Sequence, residues 1–498
     1  MTTYSENQTE PPFVLALDIG TSSIRAMLFD RQGQAVPGAD SRQKLSIDAG
    51  LDGAFETDAD TLLGIAWQAI DQALANAGKL SRDIKGVCCC TFVSNVMGIN
   101  AAGKAVTPLV LYADTRAAAQ AAALRQMLDE EEFHQRTGTR FHSSYLPARL
   151  LWWKQEKPEQ FSQVKRWISI HEYMLLLLFG ESAVSYSVAS WTGLQHRARL
   201  EWDEKLIAHL PVDQTLLPTL VDASHSWSGL RAVFAERWPA LKNVPWFPAI
   251  GDGAAANLGS GCASPDRVAI SMGTSSAVRT VTTDTTLVLP PGLWCYRVDA
   301  RRCLLGGAMT EGGSIFSWLR RLLNLESTED IDPAIALMQP GEHGLTFLPL
   351  ISGERSPGWV SEARGALMGL SLATSPLDLL RAGMEGVACR IALVYNLLRP
   401  ALPADPLIIA TGGAIQSSPA WQQILADALN RPLRLSRVAE TSTRGAALLA
   451  LEALEIIEDA AKAPDLSDPA AFPDPGHHAR YQEMMAQQKI MYESLITR

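Results

Sequence analysis

One short stretch occurs twice in this chain, once in each half. Residues 15–28 read LALDIGTSSIRAML and residues 268–281 read VAISMGTSSAVRTV, so Gly-Thr-Ser-Ser stands at 20–23 and again at 273–276. In both copies a run of apolar and β-branched residues precedes the glycine and a second such run follows the serines, which predicts two strands joined by a tight turn. A repeat in the same context in each half predicts two α/β domains of related fold.

The segments after each copy also share an order of strands and helices. The predicted elements are a β-meander at 13–37, a helix at 58–77 and a strand at 84–93, then in the second half short strands, a helix at 376–398 and a strand at 406–410. At 498 residues the chain is too long for a single core. We therefore expect an N-terminal domain at 13–260, a C-terminal domain at 261–455 and a helical tail at 462–498 that packs back on a domain.

Composition argues against several classes of partner. The net charge of −10 disfavours a nucleic-acid or anionic-membrane surface, because phosphate groups require a basic face. The longest purely apolar cluster, 174–179, is far shorter than the ~20 residues of a membrane span, and the N-terminal MTTYSENQTEPP lacks the order of a secretory signal. The consecutive cysteines 88–90 predict buried thiols in a reducing compartment. We expect a cytoplasmic protein.

The two Gly-Thr-Ser-Ser turns have a chemical use. Glycine allows consecutive N–H groups to face the same way, and the hydroxyls add donors, so each turn can cradle an anionic oxygen cluster. Two such cradles, one per domain, would grip a polyphosphate across a cleft; the alternative is a pair of ordinary hairpin turns. Asp18 ends a buried strand beside the first turn, where Mg²⁺ held through water would satisfy its carboxylate. The second copy has Ser271 there.

Further motifs resemble those of the FGGY family of carbohydrate kinases. They are YADTRAA at 112–118, SYLPARLLWW at 144–153 with Arg149 where Lys is usual, AIGDGAAANLGSG at 249–261, and GALMGLSLATSPLDLLRAGME at 365–385 with a departure at Gly383. The resemblance implies an α/β fold of two ribonuclease H-like (actin-like ATPase) domains with a ligand cleft between them. It also implies ATP and Mg²⁺ as cofactors and a small-molecule sugar or sugar-acid substrate, and dimerisation is common in the family.

Asp252 is the candidate catalytic residue. It lies between two glycines before an alanine-rich segment, so it should open a helix near the domain junction, where the helix dipole favours an ionised carboxylate. From the residues alone, a helix N-cap explains it as well. The resemblance implies a general base that contacts the sugar hydroxyl and accepts its proton during phosphoryl transfer.

The resemblance also assigns nucleotide contacts residue by residue. The first turn and the arginine after it would meet the phosphates, and the segment 410–429 resembles an adenosine site made of a strand, a double glycine and a helix. The residues assigned to ATP are Thr21, Ser22, Ser23, Arg25, Thr274, Gly312, Gly413 and Ser417.

The substrate is the least constrained part of the interpretation. Candidate contacts are Ser94, Asn95, Asp114, Arg116 and Asp252, with His142 as a weaker one. Ser94 stands where many relatives carry His, which weakens a transfer of xylulokinase specificity, whereas RTGTRFHSSYLPARLLWW resembles gluconokinases. We expect gluconate first and a ketopentose or polyol second. An actin-like or heat-shock ATPase and a non-catalytic sugar-binding regulator are the more distant alternatives.

Overall fold

A computed structural model describes residues 9–47, 49–50, 52–325 and 331–496. In the first half the strands are β1 (Phe13–Ile19), β2 (Ser23–Phe29), β3 (Ala35–Lys44), β4 (Glu56–Thr57), β5 (Ile84–Thr91), β6 (Met97–Ile99), β7 (Leu109–Val110), β8 (Arg166–Ile168), β9 (Ala183–Ser185), β10 (Gln195–His196), β11 (Glu201–Trp202), β12 (Thr219–Val221) and β13 (Ile250–Gly251). The helices are α1 (Ala59–Ala77), α2 (Ala118–Met127), α3 (Glu130–Thr137), α4 (Leu146–Glu156), α5 (Pro158–Gln163), α6 (Ile170–Phe179), α7 (Tyr186–Ser190), α8 (Glu204–Ile207), α9 (Ala232–Arg237) and α10 (Asp252–Gly259).

The second half has its own set of elements. Its strands are β14 (Arg267–Met272), β15 (Ser276–Thr282), β16 (Trp294–Arg297), β17 (Cys303–Met309), β18 (Thr346–Leu348), β19 (Ala366–Met368), β20 (Leu407–Thr411), β21 (Leu433–Ser436) and β22 (Ser467–Ala471). Its helices are α11 (Gly313–Leu322), α12 (Ile331–Ala336), α13 (Pro376–Leu398), α14 (Gly413–Gln416), α15 (Pro419–Leu429), α16 (Thr441–Ala453) and α17 (Pro475–Leu495).

Each half is built on one large mixed sheet. The first sheet has the order β13-β5-β1-β2-β3 and the second has the order β16-β17-β15-β14-β20-β21-β22. In both sheets the Gly-Thr-Ser-Ser repeat joins an antiparallel hairpin, and the first strand of that hairpin pairs in parallel with a later strand, β5 or β20. The predicted meander, the helices at 58–77 and 376–398 and the strands after them are confirmed, since each is present within a few residues of its predicted bounds.

The two repeats differ in the register of their hairpins. Ile19 pairs with Ile24 across the first turn, which leaves residues 20–23 in it, whereas Met272 pairs with Ser276 and leaves only 273–275 in the second. The two turns therefore differ in backbone register as well as in the residue two positions before the glycine, which is Asp18 in the first copy and Ser271 in the second.

α10 and α16 connect the two halves through a close crossing. A Cβ built on Gly259 would fall inside the carbonyl of Thr441, and a Cβ built on Gly445 would fall inside the carbonyl of Ala255. Backbones that approach this closely leave no room for a side chain, so glycine is required at both positions. The crossing connects the helix that ends the first half to a helix near the end of the second.

The C-terminal segment packs on the second half, and it contributes more than the predicted helix. β22 pairs with β21 as an edge strand, and α17 packs on α15, α13 and β18. The Tyr492 hydroxyl of α17 donates to Glu354 at 2.6 Å, and the Tyr481 hydroxyl donates to Glu385 at 3.2 Å. The tail is therefore bonded to buried groups of the second half.

All seven cysteines are buried and free. Three lie side by side on β5, and burial raises the pKa of the Cys88 and Cys89 thiols. In the part of the chain that the structure describes, no three His, Cys, Asp or Glu side chains are grouped to hold a metal ion, and no helix has the length and apolar character of a membrane span. The predicted buried thiols are confirmed.

Replacement of Gly445 by alanine tests the helix crossing. We expect Gly445→Ala to lower the free energy of unfolding by about 1–3 kcal/mol, because the new methyl group has to push α10 and α16 apart. Gly64→Ala is the matched control, since a Cβ at this α1 position meets nothing within 4 Å. The control should be neutral or stabilising by about 0.5–1 kcal/mol. Urea denaturation of both variants measures this, and equal midpoints for the two would contradict the close crossing.

Candidate active site

The carboxyl ends of three parallel strands meet at one edge of the first sheet. β1, β5 and β13 lie side by side: Asp18 pairs in register with Cys90, and Cys90 pairs with Ile250. Asp252 follows β13 directly as the first residue of α10. Ligands of α/β sheets bind outside the carboxyl ends of the strands, so this edge is where a site is expected.

The second sheet presents a similar edge. β14 and β20 are parallel; the turn 273–275 follows β14, while Gly412 and Gly413 follow β20. The N–H of Gly313, at the start of α11, donates to the Gly273 carbonyl at 2.7 Å. Three glycine-containing segments of backbone therefore lie together at this edge.

Two cavities open at these edges. The Gly413 cavity, of about 820 Å³, is lined by Gly273, Thr274, Gly313, Ser314, Phe316, Ser317, Arg320, Ile331, Asp332, Gly413, Ala414, Ser417, Ser418 and Trp421. The Asp252 cavity, of about 630 Å³, is lined by Val93, Ser94, Tyr112, Ala113, Asp114, Thr115, His142, Ser143, Ser144, Tyr145, Trp191, Asp252, Gly253, Arg279, Trp294, Tyr296, Ala308, Thr310, Ser352, Arg355 and Trp359. The first belongs to the second half alone, whereas the second has walls from both halves.

Asp252 opens α10, as the sequence predicts, and its carboxylate faces the cavity. Burial, together with the nearby charge of Asp18, raises the pKa of Asp252 to about 6, and Arg279 opposes this rise. The Gly253 N–H donates to Asp252 Oδ1 at 2.7 Å, while the N-cap position of the helix is Gly251. The carboxylate therefore does not act as an ordinary N-cap and remains available in the cavity.

Asp18 is buried at the end of β1. Burial raises its pKa, and the guanidinium of Arg25, whose Nη1 lies 3.2 Å from Asp18 Oδ2, opposes the rise. The same Arg25 Nη1 lies 3.0 Å from Glu440 Oε2. Asp18 and Asp252 thus form a pair of enclosed acids whose charges disfavour each other, and a divalent cation held between such oxygens and a phosphate relieves that repulsion.

The glycines around the Gly413 cavity have different reasons to be glycine. Gly412 has φ of 102°, and a Cβ there would fall against the Met272 carbonyl. A Cβ on Gly312 would lie 2.9 Å from the Thr274 carbonyl oxygen. A Cβ on Gly413, in contrast, meets nothing within 4 Å and would point into open space. The fold therefore requires glycine at 412 and 312. At 413 a side chain would be tolerated by the fold but would occupy part of the cavity.

The predicted nucleotide residues divide into two groups. Thr274, Gly413 and Ser417 line the Gly413 cavity. The remaining five residues do not line either cavity. Arg25 is held in its ion pairs and Gly312 packs beneath the second turn. The other three lie in the first turn or at the start of β2. That group consists of Thr21, Ser22, Ser23, Arg25 and Gly312, and its role at the phosphates stays a prediction.

The predicted substrate residues divide in the same way. Ser94, Asp114, His142 and Asp252 line the Asp252 cavity. Asn95 does not, because its Nδ2 donates to the Phe92 carbonyl and its Oδ1 accepts from the Ile170 N–H.

Arg116 also lies outside the cavity lining. Its guanidinium pairs with Asp114 at 2.7 Å and with Glu56 at 2.5 Å, and it stacks over Trp152 at 4.6 Å. Arg116, a candidate substrate contact, is therefore observed in a structural ion pair instead.

The wall of the Asp252 cavity that the second half supplies was not predicted from the sequence. Trp191 from the first half stacks on Tyr296 with their ring centroids 3.5 Å apart, and the Tyr296 hydroxyl lies 2.5 Å from that of Tyr145. Arg279 on β15 and Arg355 in the segment after β18 bring two cations to the same cavity. The only signal for Arg279 was its place three residues after the second repeat, and Arg355 had none.

Burial in this cavity shifts the pKa values of two basic side chains, Arg279 and His142. Burial lowers the pKa of Arg279; Asp252 opposes the effect and the like charge of Arg355 adds to it. Burial and Arg355 also lower the pKa of His142 to about 4, so its ring is neutral at pH 7. The Ser144 N–H donates to His142 Nδ1 at 3.1 Å, which leaves the proton on Nε2.

Comparison with known proteins decides the family. Residues 13–259 match the N-terminal domain of the FGGY family of carbohydrate kinases, and residues 268–454 match its C-terminal domain. The chain belongs to the FGGY family of carbohydrate kinases. The predicted fold of two ribonuclease H-like domains is confirmed, and so is the assignment of the chain as a phosphotransferase.

Individual FGGY relatives differ in the substrate they are named for. The gluconokinase of Bacillus subtilis (strain 168) is 28% identical over 454 residues, covering 89% of this chain and 87% of that protein. A ligand-bound xylulose kinase from Lactobacillus acidophilus superposes with a TM-score of 0.90 at 25% identity, covering 97% and 98% of the two chains. A gluconate kinase from the same organism superposes with a TM-score of 0.89 at 24% identity, over 97% and 98%. Family membership implies the use of ATP and a small-molecule sugar substrate.

The pH dependence of turnover tests the ionisation of Asp252. With its pKa raised to about 6, the carboxylate is protonated below that pH and ionised above it. We expect kcat/KM for the sugar to rise with pH through about 6 and then to level off, because a general base acts only when ionised. A profile that stays flat down to pH 5 would contradict a base with this pKa.

Alanine variants of two adjacent glycines test nucleotide binding separately from folding. We expect Gly413→Ala to raise the KM for ATP severalfold with no change in the thermal unfolding midpoint, because its methyl group enters only the Gly413 cavity. Gly412→Ala, the matched control, should lower the midpoint, since alanine is strained at its φ and meets the Met272 carbonyl. ATP titration and thermal scans of both variants distinguish the two effects, and a destabilised Gly413→Ala would contradict the assignment.

Proposed function

We propose that this carbohydrate kinase transfers the γ-phosphoryl group of ATP to a hydroxyl of a sugar acid, with gluconate as the first candidate and Asp252 as general base. The observation that carries the proposal is the position of Asp252 at the start of α10. There its carboxylate faces a cavity of about 630 Å³ and has its pKa raised to about 6, so that it is mostly ionised at pH 7 and can accept a proton.

In the proposed reaction Asp252 orients the acceptor hydroxyl and takes its proton as the new O–P bond forms. Phosphoryl transfer has a loose transition state, so most of the rate acceleration comes from holding the two reactants in line. The backbone of the turn 273–275 and the hydroxyl of Thr274 would bind phosphate oxygens of ATP, while Gly413 and Ser417 line the space for the remainder of the nucleotide.

The residues at the edge of the first sheet fit a magnesium ion. Mg²⁺ is held by one or two carboxylates together with waters and substrate phosphates, and Asp18 would supply such a carboxylate. When bound, the ion would neutralise charge that develops on the phosphoryl oxygens. Arg25 keeps Asp18 oriented through one carboxylate oxygen.

Gluconate is supported by relatives named gluconokinase, and a ketopentose is the second candidate because a xylulose kinase superposes closely. Ser94 supports the order of the two. It occupies the cavity where many relatives carry His, and its hydroxyl donates to the Trp191 carbonyl at 2.8 Å. A cytoplasmic location agrees with seven buried free thiols, and a homodimer remains an expectation from the family.

A coupled ADP-release assay tests the proposal. Mg·ATP is supplied with gluconate, xylulose, ribulose, glycerol, erythritol and glucitol in turn, and each is repeated with Asp252→Asn. We expect gluconate to give the highest kcat/KM and Asp252→Asn to lower kcat by about 10²–10⁴-fold. Asp83→Asn, an exposed carboxylate outside both cavities, is the matched control and should retain full turnover. Equal turnover of Asp252→Asn and the unmodified enzyme would overturn the general base.

A further inference from the structure

The Asp252 cavity holds two positive charges that the protein does not pair. Arg279 and Arg355 both line it, and neither forms an ion pair with any residue that the structure describes. The Nε atom of Arg279 is buried without a hydrogen-bond partner. A buried donor that lacks a partner costs free energy, which a ligand acceptor would recover.

Two carboxylates near these arginines, those of Asp114 and Glu354, are already bonded to other groups. Asp114 accepts from the Phe55 N–H at 3.0 Å and from Arg116, so its charge is balanced within the first half. Glu354, the neighbour of Arg355 in sequence, is buried and bound to Arg390 and to the Tyr492 hydroxyl. Asp252 faces Arg279 but is needed in its ionised form for the hydroxyl. The cavity therefore has a surplus of positive charge before any substrate enters.

The backbone that carries Arg355 is held in place on both sides, and before it the Glu354 N–H donates to the Val360 carbonyl at 2.9 Å. The Ser356 N–H donates to the Ala308 carbonyl at 3.0 Å, and the Trp359 indole N–H donates to the Gly292 carbonyl at 3.2 Å. The backbone around Arg355 is thus anchored, while its side chain is exposed where it lines the cavity. An anchored backbone limits the space that the guanidinium can sample, so less conformational entropy is lost when it binds an anion.

We propose that Arg279 and Arg355 bind the carboxylate of a sugar acid and thereby make this kinase selective for acids over neutral sugars and polyols. The proposal rests on the function proposed above. Arg116, the arginine that the sequence suggested as a substrate contact, is ion-paired outside the cavity. A guanidinium matches a carboxylate with two parallel hydrogen bonds, which a neutral hydroxymethyl group cannot accept in the same way. The neutral ring of His142 keeps its Nε2–H for a hydroxyl of the substrate.

A second role for Arg279 has to be distinguished. Because it lies near Asp252, its charge would also stabilise a transferring phosphoryl group. In that case its loss would lower kcat for every acceptor alike. Recognition of a carboxylate predicts a different result, in which the loss falls on the KM for the acid and spares the neutral acceptor.

Kinetics with a matched pair of acceptors separates these roles. Gluconate and glucitol differ at one end of the chain, where the acid has a carboxylate and the polyol a hydroxymethyl group. We expect Arg279→Gln and Arg355→Gln each to raise the KM for gluconate about 10- to 100-fold and to change kcat/KM for glucitol less than threefold. Arg355→Lys should restore part of the loss because it keeps the charge. Arg364→Gln, which removes an exposed arginine outside the cavity, should change neither.

A direct binding measurement tests the carboxylate site without requiring turnover. Isothermal titration of the unmodified protein with gluconate, with and without ADP, should show binding that Arg355→Gln and Arg279→Gln each weaken at least tenfold. This result supports the carboxylate site even where the coupled assay detects no phosphorylation, so failure of the proposed function is distinguishable. Unchanged gluconate binding in both variants, an absence of gluconate binding, or an equal loss for gluconate and glucitol in the kinetics would overturn the proposal.

Discussion

The close crossing of α10 and α16 is the contact on which the site depends. Gly259 and Gly445 let the two backbones meet without intervening side chains, and α10 begins with Asp252. The contact therefore sets the position of the Asp252 carboxylate relative to the second half, whose residues complete the Asp252 cavity. A shift of about 1 Å at such a crossing is enough to misalign reacting groups, since near-attack geometry is short-ranged.

Parallel strands explain why the acids meet although they are far apart in sequence. Asp18 and Asp252 stand at the ends of β1 and β13, and β5 lies between these strands in register. Enclosure at this edge raises the pKa of both carboxylates, while Arg25 and Arg279 each oppose the rise for one of them. The result is one acid with a firm cationic partner and one left free for a proton, which is an arrangement suited to different roles.

Much of the architecture could be predicted from local sequence patterns, because capping and strand alternation depend on neighbouring residues. Asp58 and Ser375 cap α1 and α13 with their side chains, so the start of each of these helices is marked by a residue in the sequence. The roles of single polar residues were harder to predict. Arg116 and Asn95 have the chemistry of ligand contacts, but both are consumed by neighbours that are distant in sequence. β22 was missed because an isolated apolar-poor strand of five residues carries little periodic signal.

The sequence by itself determined the two related α/β halves, the glycine turns and the place of Asp252 at a helix start, because strand alternation, turn chemistry and helix capping act over a few residues. Only the tertiary structure decided which side chains share the Asp252 cavity. Arg279 and Arg355 reach it from strands and loops of the second half, and their charges stay unpaired because Asp114 and Glu354 are bound elsewhere. Charge pairing depends on distances across the whole fold, which no local pattern records.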